Sequence, residues 1–192
     1  MTRSDGKWQD LIHLATLAAE SADRQATDVV VDASWSEGIA GLAYVSPTLG
    51  IRAVARWCSG CNEAEAEAVL LAMHDARAES ASRLTIATDS LIAALTQSPT
   101  SRAPASLHAC LTEIRELLTD MPDWQLIRTP KSETQAAHTL ARKAMRNCLR
   151  RAVKLGIEPR LLIPSATGQQ AAALGFFNGL SHTSSTRSKD DL

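Results

Sequence analysis

No run in this sequence approaches the ~18 consecutive apolar residues that a membrane-spanning helix needs. The N-terminus, MTRSDGKWQDL, carries no apolar leader region. The expected location is therefore the cytoplasm, with no membrane partner. An excess of one charge is missing too: 20 Lys and Arg stand against 21 Asp and Glu, a formal charge of -1. Bulk charge announces no nucleic-acid partner, although local clustering counts for more than the sum. Cysteine is sparse. Cys58 and Cys61 form one CSGC, Cys110 and Cys148 stand alone, and neither a second CxxC nor a paired histidine motif follows. A structural zinc site needs four ligands at recognisable spacing, so CSGC reads as a turn with two reduced thiols.

What is present is 192 residues, 45% of them hydrophobic, enough for one domain with a core and short additions. Leu11, Leu14, Ala15 and Ala18 recur at helical spacing behind Ser4 and Asp5 and predict a helix over 7–21. VVVDAS, 29–34, reads as a buried strand that ends at Asp32. GIAGLAYV, the turn SPTLG and IRAVARW complete an antiparallel meander, and Arg52, Val54 and Arg56 give its third strand one polar-leaning face. NEAEAEAVLLAMHDARAES switches to strong helix formers. RLTIATDS is a strand ending in an acid, with Ser90 placed to cap a helix LIAALTQ. SPTSRAPAS reads as a loop, LHACLTEIRELLTDM as a helix, DWQLIRT as a last strand, and Glu133 to about Leu155 as a long helix. Beyond Gly156, RLLIPSATGQQAAALGFFNGL allows a short strand and a helix, and SHTSSTRSKDDL has the composition of a disordered tail. The domain expectation is a helical extension over 1–27, a core domain over 28–155, a short extension over 156–180 and a tail over 181–192. Mixed order after an early meander predicts an α/β or α+β sheet covered by helices.

Asp32 and Asp89 each stand at a strand end, and Glu65 lies in the first turn of the helix after the meander. If the two strands are neighbours, the acids meet at the end of the sheet where α/β proteins build sites. Carboxylates that close repel one another, and a magnesium or manganese ion with hard oxygen ligands would resolve the repulsion. Each acid also has a structural reading. Asp32 is suited to cap a turn, Asp89 with Ser90 to start a helix, and Glu65, between Glu63 and Glu67, to complement a helix macrodipole.

Taken together, VVVDAS, CNEAEAEAVLLAM, IATDS and AAHTLARKA resemble the type I ribonuclease H family over about residues 28–150. The family pattern is a strand ending Asp-Gly-Ser, a meander, Asn-Asn-x-x-Glu opening a helix, a strand ending Thr-Asp-Ser, and a helix with x-Ala-Asp-x-Leu-Ala. NEAEAEAVLLA looks like the Asn-Glu-Ala-Glu-Tyr-Glu-Ala-Leu version of the family, a resemblance that selects Glu65 over Glu63 and Glu67. Ala33 replaces a glycine and Cys61 an asparagine, while Asn62 remains. His138 takes the fourth acidic position, and TPKSETQAAHTLA is similar to the plant reverse-transcriptase-like branch, which carries histidine there. The resemblance implies a ribonuclease H-like fold: a five-stranded mixed sheet flanked by helices, here with an extra N-terminal helix and a C-terminal extension.

It further implies hydrolysis of the RNA strand of RNA–DNA hybrids with Mg2+ or Mn2+, by two cations about 4 Å apart. Asp32, Glu65, Asp89 and His138 would be the catalytic and metal-holding residues. Ser34, Trp35, Asn62 and Lys131 are candidate substrate contacts. Arg142, Arg146 and Arg150, with Lys154, recur every four residues and offer phosphates a stripe; the alternative is a solvated face opposite an apolar side of Leu140, Ala144, Cys148 and Ala152. Trp35 is suited to stack on a base or to pack locally, and His138 to be a ligand or a packed histidine. The rival functions are a nucleic-acid-binding module with little catalysis, and a protein-interaction role through the N-terminal helix or the segment after Gly156.

Overall fold

A computed structural model of the chain describes residues 26–98 and 103–163. The helix expected over 7–21, the centre of the loop SPTSRAPAS and everything beyond Ile163 lie outside those residues. Three strands open the fold. β1 (Ala26–Ser36), β2 (Ile39–Ser46) and β3 (Gly50–Trp57) form the antiparallel meander, followed by α1 (Cys61–Ala78) and β4 (Arg83–Thr88). A short helix α2 (Ile92–Leu95), α3 (Ala105–Asp120), β5 (Trp124–Arg128) and the long α4 (Lys131–Leu155) complete it, with a 3-10 turn over Pro159–Leu162. The sheet order is β3-β2-β1-β4-β5, with β1, β4 and β5 parallel. Among the described residues no helix is long and apolar enough to cross a membrane.

Local chemistry explains the element ends. Between β1 and β2, Glu37 and Gly38 both take positive φ, 52° and 83°, as a two-residue hairpin turn requires. A side chain at Gly38 would also strike the Trp57 ring. Ser46 Oγ accepts from the amides of Thr48 and Leu49 and closes the next turn. Ser90 Oγ accepts from the Ile92 amide at 3.3 Å, but the helix that follows spans only 92–95.

Alternation along the strands separates two faces. Val29, Val31, Ala33, Leu42 and Tyr44 face α1 and α3 and share one core with Val69, Met73, Leu111 and Ile114. The intervening positions of β1 and β2 face α4, where Ser34 meets Met145. The polar face of β3 fastens that edge strand to α1: Arg52 pairs with Asp75, which also accepts from Tyr44, and Arg56 pairs with Glu67.

Two sequence expectations need correction. β1 does not end at Asp32 but runs on to Ser36, because β2 keeps pairing with it there. The apolar side of α4 is Thr134, Ala137, Ala141, Met145 and Ala152. Leu140, Ala144 and Cys148 are only half-buried. A strict four-residue run winds about 40° per step off a 3.6-residue helix, so it cannot hold one face over four turns.

Candidate active site

The register of the parallel strands brings the acids together. The offset that pairs Ala26 with Arg83 and Val30 with Ala87 sets Asp32 level with Asp89. β4 stops at Thr88 while β1 continues, so at Asp32 the strand has a partner on the β2 side only, Ala43. The opening lies where the parallel half of the sheet meets the antiparallel half.

α1 delivers the third acid, and its three glutamates have three different fates. Glu63 accepts from the Ser59 amide at 2.9 Å and from the hydroxyls of Ser59 and Ser106. Although burial opposes it, these bonds hold its carboxyl below the usual range. Glu67 takes Arg56 at 3.1 Å and the Cys110 thiol at 3.6 Å. Glu65 points elsewhere: its Oε2 is buried and has no hydrogen-bond partner among the described residues. Burial first, then repulsion from Asp32 and Asp89, pushes the Glu65 carboxyl from 4.5 up to about 8; the Ala33 amide and Lys131 pull the other way. Asp32 is 3% exposed. Burial raises its carboxyl, His138 opposes the rise and Asp89 adds to it.

α4 brings His138 in from the other face of the sheet. Its backbone crosses β2 at Gly41, where an added Cβ would lie 1.8 Å from the Ala141 carbonyl oxygen. That contact leaves room for no side chain and lays α4 flat on the strands. One turn earlier, His138 Nδ1 lies 3.2 Å from Asp32 Oδ2, which leaves the other ring nitrogen free of this contact.

Several carboxylate oxygens and one imidazole form a donor set suited to magnesium or manganese. Among the described residues no three His, Cys, Asp or Glu side chains converge tightly enough to hold a single ion. Asp32 is turned onto His138 instead. The orphaned Glu65 oxygen nevertheless fits a cation: a buried acceptor without a donor costs about 1–3 kcal/mol, and a cation between the acids would satisfy it and cancel their repulsion.

The other candidates divide. Asn62 is exposed on the first turn of α1, and Ser34 touches Met145 of α4. Trp35 is half-buried against the core, its indole N–H donating to the Cys58 carbonyl at 2.8 Å. Arg142, Arg146 and Arg150 line a groove of about 310 Å³ together with His138, Gln135 and Thr139. Lys131 lines an open cleft of about 520 Å³ with Asp89, Arg128, Thr129 and Pro130. Arg128 and Thr129 line the same cleft, although at strand ends only the acids stand out in the sequence. The signal was there: Arg128 ends β5 opposite Thr88, one residue before Asp89. All four cysteines are free. Burial first, then Glu67 and Glu63, pushes the Cys58 thiol up to about 12, so it is an inert thiol.

A 3-2-1-4-5 mixed sheet with helices on both faces and acids gathered at β1, α1 and β4 defines a ribonuclease H-like protein. Solved structures agree. RNase H1 isolated from compost, LC11, superposes with a TM-score of 0.59 at 19% identity, over 65% of this chain and 99% of its own. RNase H1 of the halophilic archaeon Halobacterium salinarum gives 0.54 at 22% identity, over 64% and 98%. The N-terminal RNase H domain of a Mycobacterium tuberculosis protein, solved as a fusion with maltose-binding protein, gives 0.58 at 20%, over 66% and 99%. At these identities the likeness establishes the fold. No curated protein matches the chain. A family model does: residues 48–144 match the reverse transcriptase-like family, and the chain belongs to that family.

Proposed function

We propose that this protein is a metal-dependent endoribonuclease that hydrolyses the RNA strand of RNA–DNA hybrids. The observation that carries the reading is Glu65, whose buried oxygen lacks a partner while Asp32 and Asp89 crowd the same opening. An arrangement this unfavourable in isolation makes sense as a seat for cations. Asp32, central and buried, is suited to bridge two of them, with Glu65 and Asp89 flanking and His138 completing the second position. Magnesium or manganese bound there would activate a water and stabilise the departing oxygen of an in-line displacement. The chain's own groups hold the rest. The Ala33 amide favours the charged forms of Asp32 and Glu65. Asp32 meets the His138 ring at Nδ1 in the metal-free protein, and a cation between them would take over that contact. The exposed Arg142, Arg146 and Arg150 line a groove with His138 and would meet phosphates there. The choice of a hybrid is supported by the LC11 enzyme, which has also been solved with an RNA/DNA hybrid (TM-score 0.57, 18% identity, over 64% of this chain and 99% of its own).

A second reading has one observation in its favour. Asp32 faces His138 rather than its fellow acids, and among the described residues no three donors converge. That arrangement would also suit a nucleic-acid-binding module with little catalysis. Incubating a labelled RNA–DNA hybrid with the protein in magnesium or manganese separates the two. The nuclease reading expects metal-dependent cutting of the RNA strand that a chelator abolishes. Tight hybrid binding without cutting in either metal would leave the binding module.

A further inference from the structure

One row of side chains crosses the whole sheet and is left open. Ile51, Val45, Val30, Ala87 and Ile127 are cross-strand neighbours from β3 through β2, β1 and β4 to β5. They stand on the α4 side, since Val29 and Val31 turn to the core with α1 and successive residues alternate. Every member is aliphatic, yet Ile51 is 67% and Ile127 42% exposed, and the other three are only half-buried. A sheet face left to water reads polar. The next row toward the strand starts does so: Asp28, Thr85 and Gln125 are neighbours there, and Gln125 donates to the Thr85 hydroxyl at 3.0 Å. α4 meets the sheet on the other side of the aliphatic row, at Asp32 and Gly41. Its His138 and arginine flank turns to the strand ends that carry the acids. Leu140, Ala144 and Cys148 lie on the opposite flank, half-buried, and so turn toward the row. Row and flank make one apolar corner, and contiguous apolar surface of this kind marks a contact.

We propose that residues 7–21 of this same chain pack into that corner as a helix alongside α4; the proposal does not rest on the nuclease reading. Reach, pattern and length carry it. The described chain begins at Ala26 on β1, the central strand, and Val30 lies four residues further along it, about 13 Å away. The link 22–25 lets residue 21 stand up to about 17 Å from Ala26. Leu11, Leu14, Ala15 and Ala18 recur at helical spacing and offer one aliphatic stripe that needs a partner. A helix over 7–21 is about 22 Å long, and the five strands span about 19 Å. The C-terminal residues are worse placed. The described chain ends just after the turn whose Arg160 lies over Trp57, and Trp57 is six residues along β3 from Ile51, about 20 Å.

The test reads thiols in the full chain. Ile51→Cys and Ile127→Cys are made separately and treated with a small maleimide, and each cysteine is followed by peptide mass spectrometry. Both introduced thiols should react about tenfold more slowly than when Leu11→Asp and Leu14→Asp are added, because a docked helix must open before the reagent enters. The native Cys148, on the α4 flank, should gain reactivity with them. Cys58 and Cys110 are buried and Cys61 is exposed. The first two must stay unreactive in every variant, which reports an intact core, and Cys61 should react alike in all. If the aspartate pair exposes Cys58, Leu11→Ala with Leu14→Ala takes its place. Rates that the N-terminal substitutions leave unchanged overturn the proposal, whether the row is open or another segment shields it. Protection that fades on dilution overturns it too, since the cover would then be a second copy.

Discussion

Replacing Glu65 by glutamine should make the metal-free protein more stable, and only above acid pH. In the folded chain the Glu65 carboxyl sits at about 8; unfolded, it returns to about 4.5. The folded state therefore binds this proton more tightly than the unfolded state. The stability it contributes is fully present below about pH 4.5 and is lost as pH rises through about 8. At about 1.4 kcal/mol per pH unit the span caps the effect near 5 kcal/mol. The side chain is partly open to solvent, and neighbouring acids share the proton, so we expect about 2–3 kcal/mol at pH 9. For a chain of this size that is a rise of roughly 5–10 °C in Tm. The assay is thermal unfolding followed by circular dichroism, from pH 4 to 9 in chelator, for wild type and Glu65→Gln. The two curves should meet near pH 4 and diverge towards pH 9. Adding magnesium should then raise the Tm of wild type more than that of the variant. Curves that run parallel across the whole range would refute the reasoning, since the orphaned carboxylate would then carry no cost.

Four further outcomes are expected. Asp89→Asn should abolish hybrid cleavage while leaving the circular dichroism spectrum unchanged; undiminished cutting would move the chemistry away from β4. Arg146→Ala with Arg150→Ala should lower the slope of log affinity against log salt by about 2, near 0.9 per lost phosphate contact, and an unchanged slope would leave the stripe merely solvated. His138→Asp should raise cleavage with magnesium more than with manganese, because a carboxylate suits the harder ion; an equal effect in both metals argues against a ligand role. Gly41→Ala should cost about 1–3 kcal/mol by overpacking and lower cleavage as well, since α4 must lift and carry His138 from Asp32; wild-type stability would show that the approach relaxes freely.

The acids were legible because local pattern determines them. Val29 to Val31 must be strand, RLTIAT must be strand, and an acid following each is visible without any tertiary knowledge. The helix start at NEAEAEA was equally plain, although residues alone could not choose among its three glutamates. That choice depends on Ser106, 43 residues from Glu63, and on Arg56 across on β3. The resemblance to known motifs supplied it; the partners of Glu63 and Glu67 lie too far along the chain for a local pattern to show. The pairing of His138 with Asp32 was not legible. It follows from the Gly41–Ala141 approach, and a glycine within GIAGLAYV gives no hint of which element will lie upon it. The burial of Trp35 likewise depends on a carbonyl 23 residues away.

The same approach makes α4 an unequal lever. With Gly41 against Ala141 as fulcrum, His138 lies three residues away on one arm and Leu155 fourteen on the other, about 4.5 and 21 Å at 1.5 Å per residue. A rocking motion is thus geared about fivefold. Displacing the far end by 2 Å, where the 3-10 turn sits and Arg160 lies 5.1 Å over the Trp57 ring, moves His138 by only about 0.4 Å. Whatever engages that end scarcely disturbs the histidine. In the opposite sense, a small shift of His138 against Asp32 is magnified on its way out, and a spectroscopic label at Val153, 82% exposed, is positioned to register it.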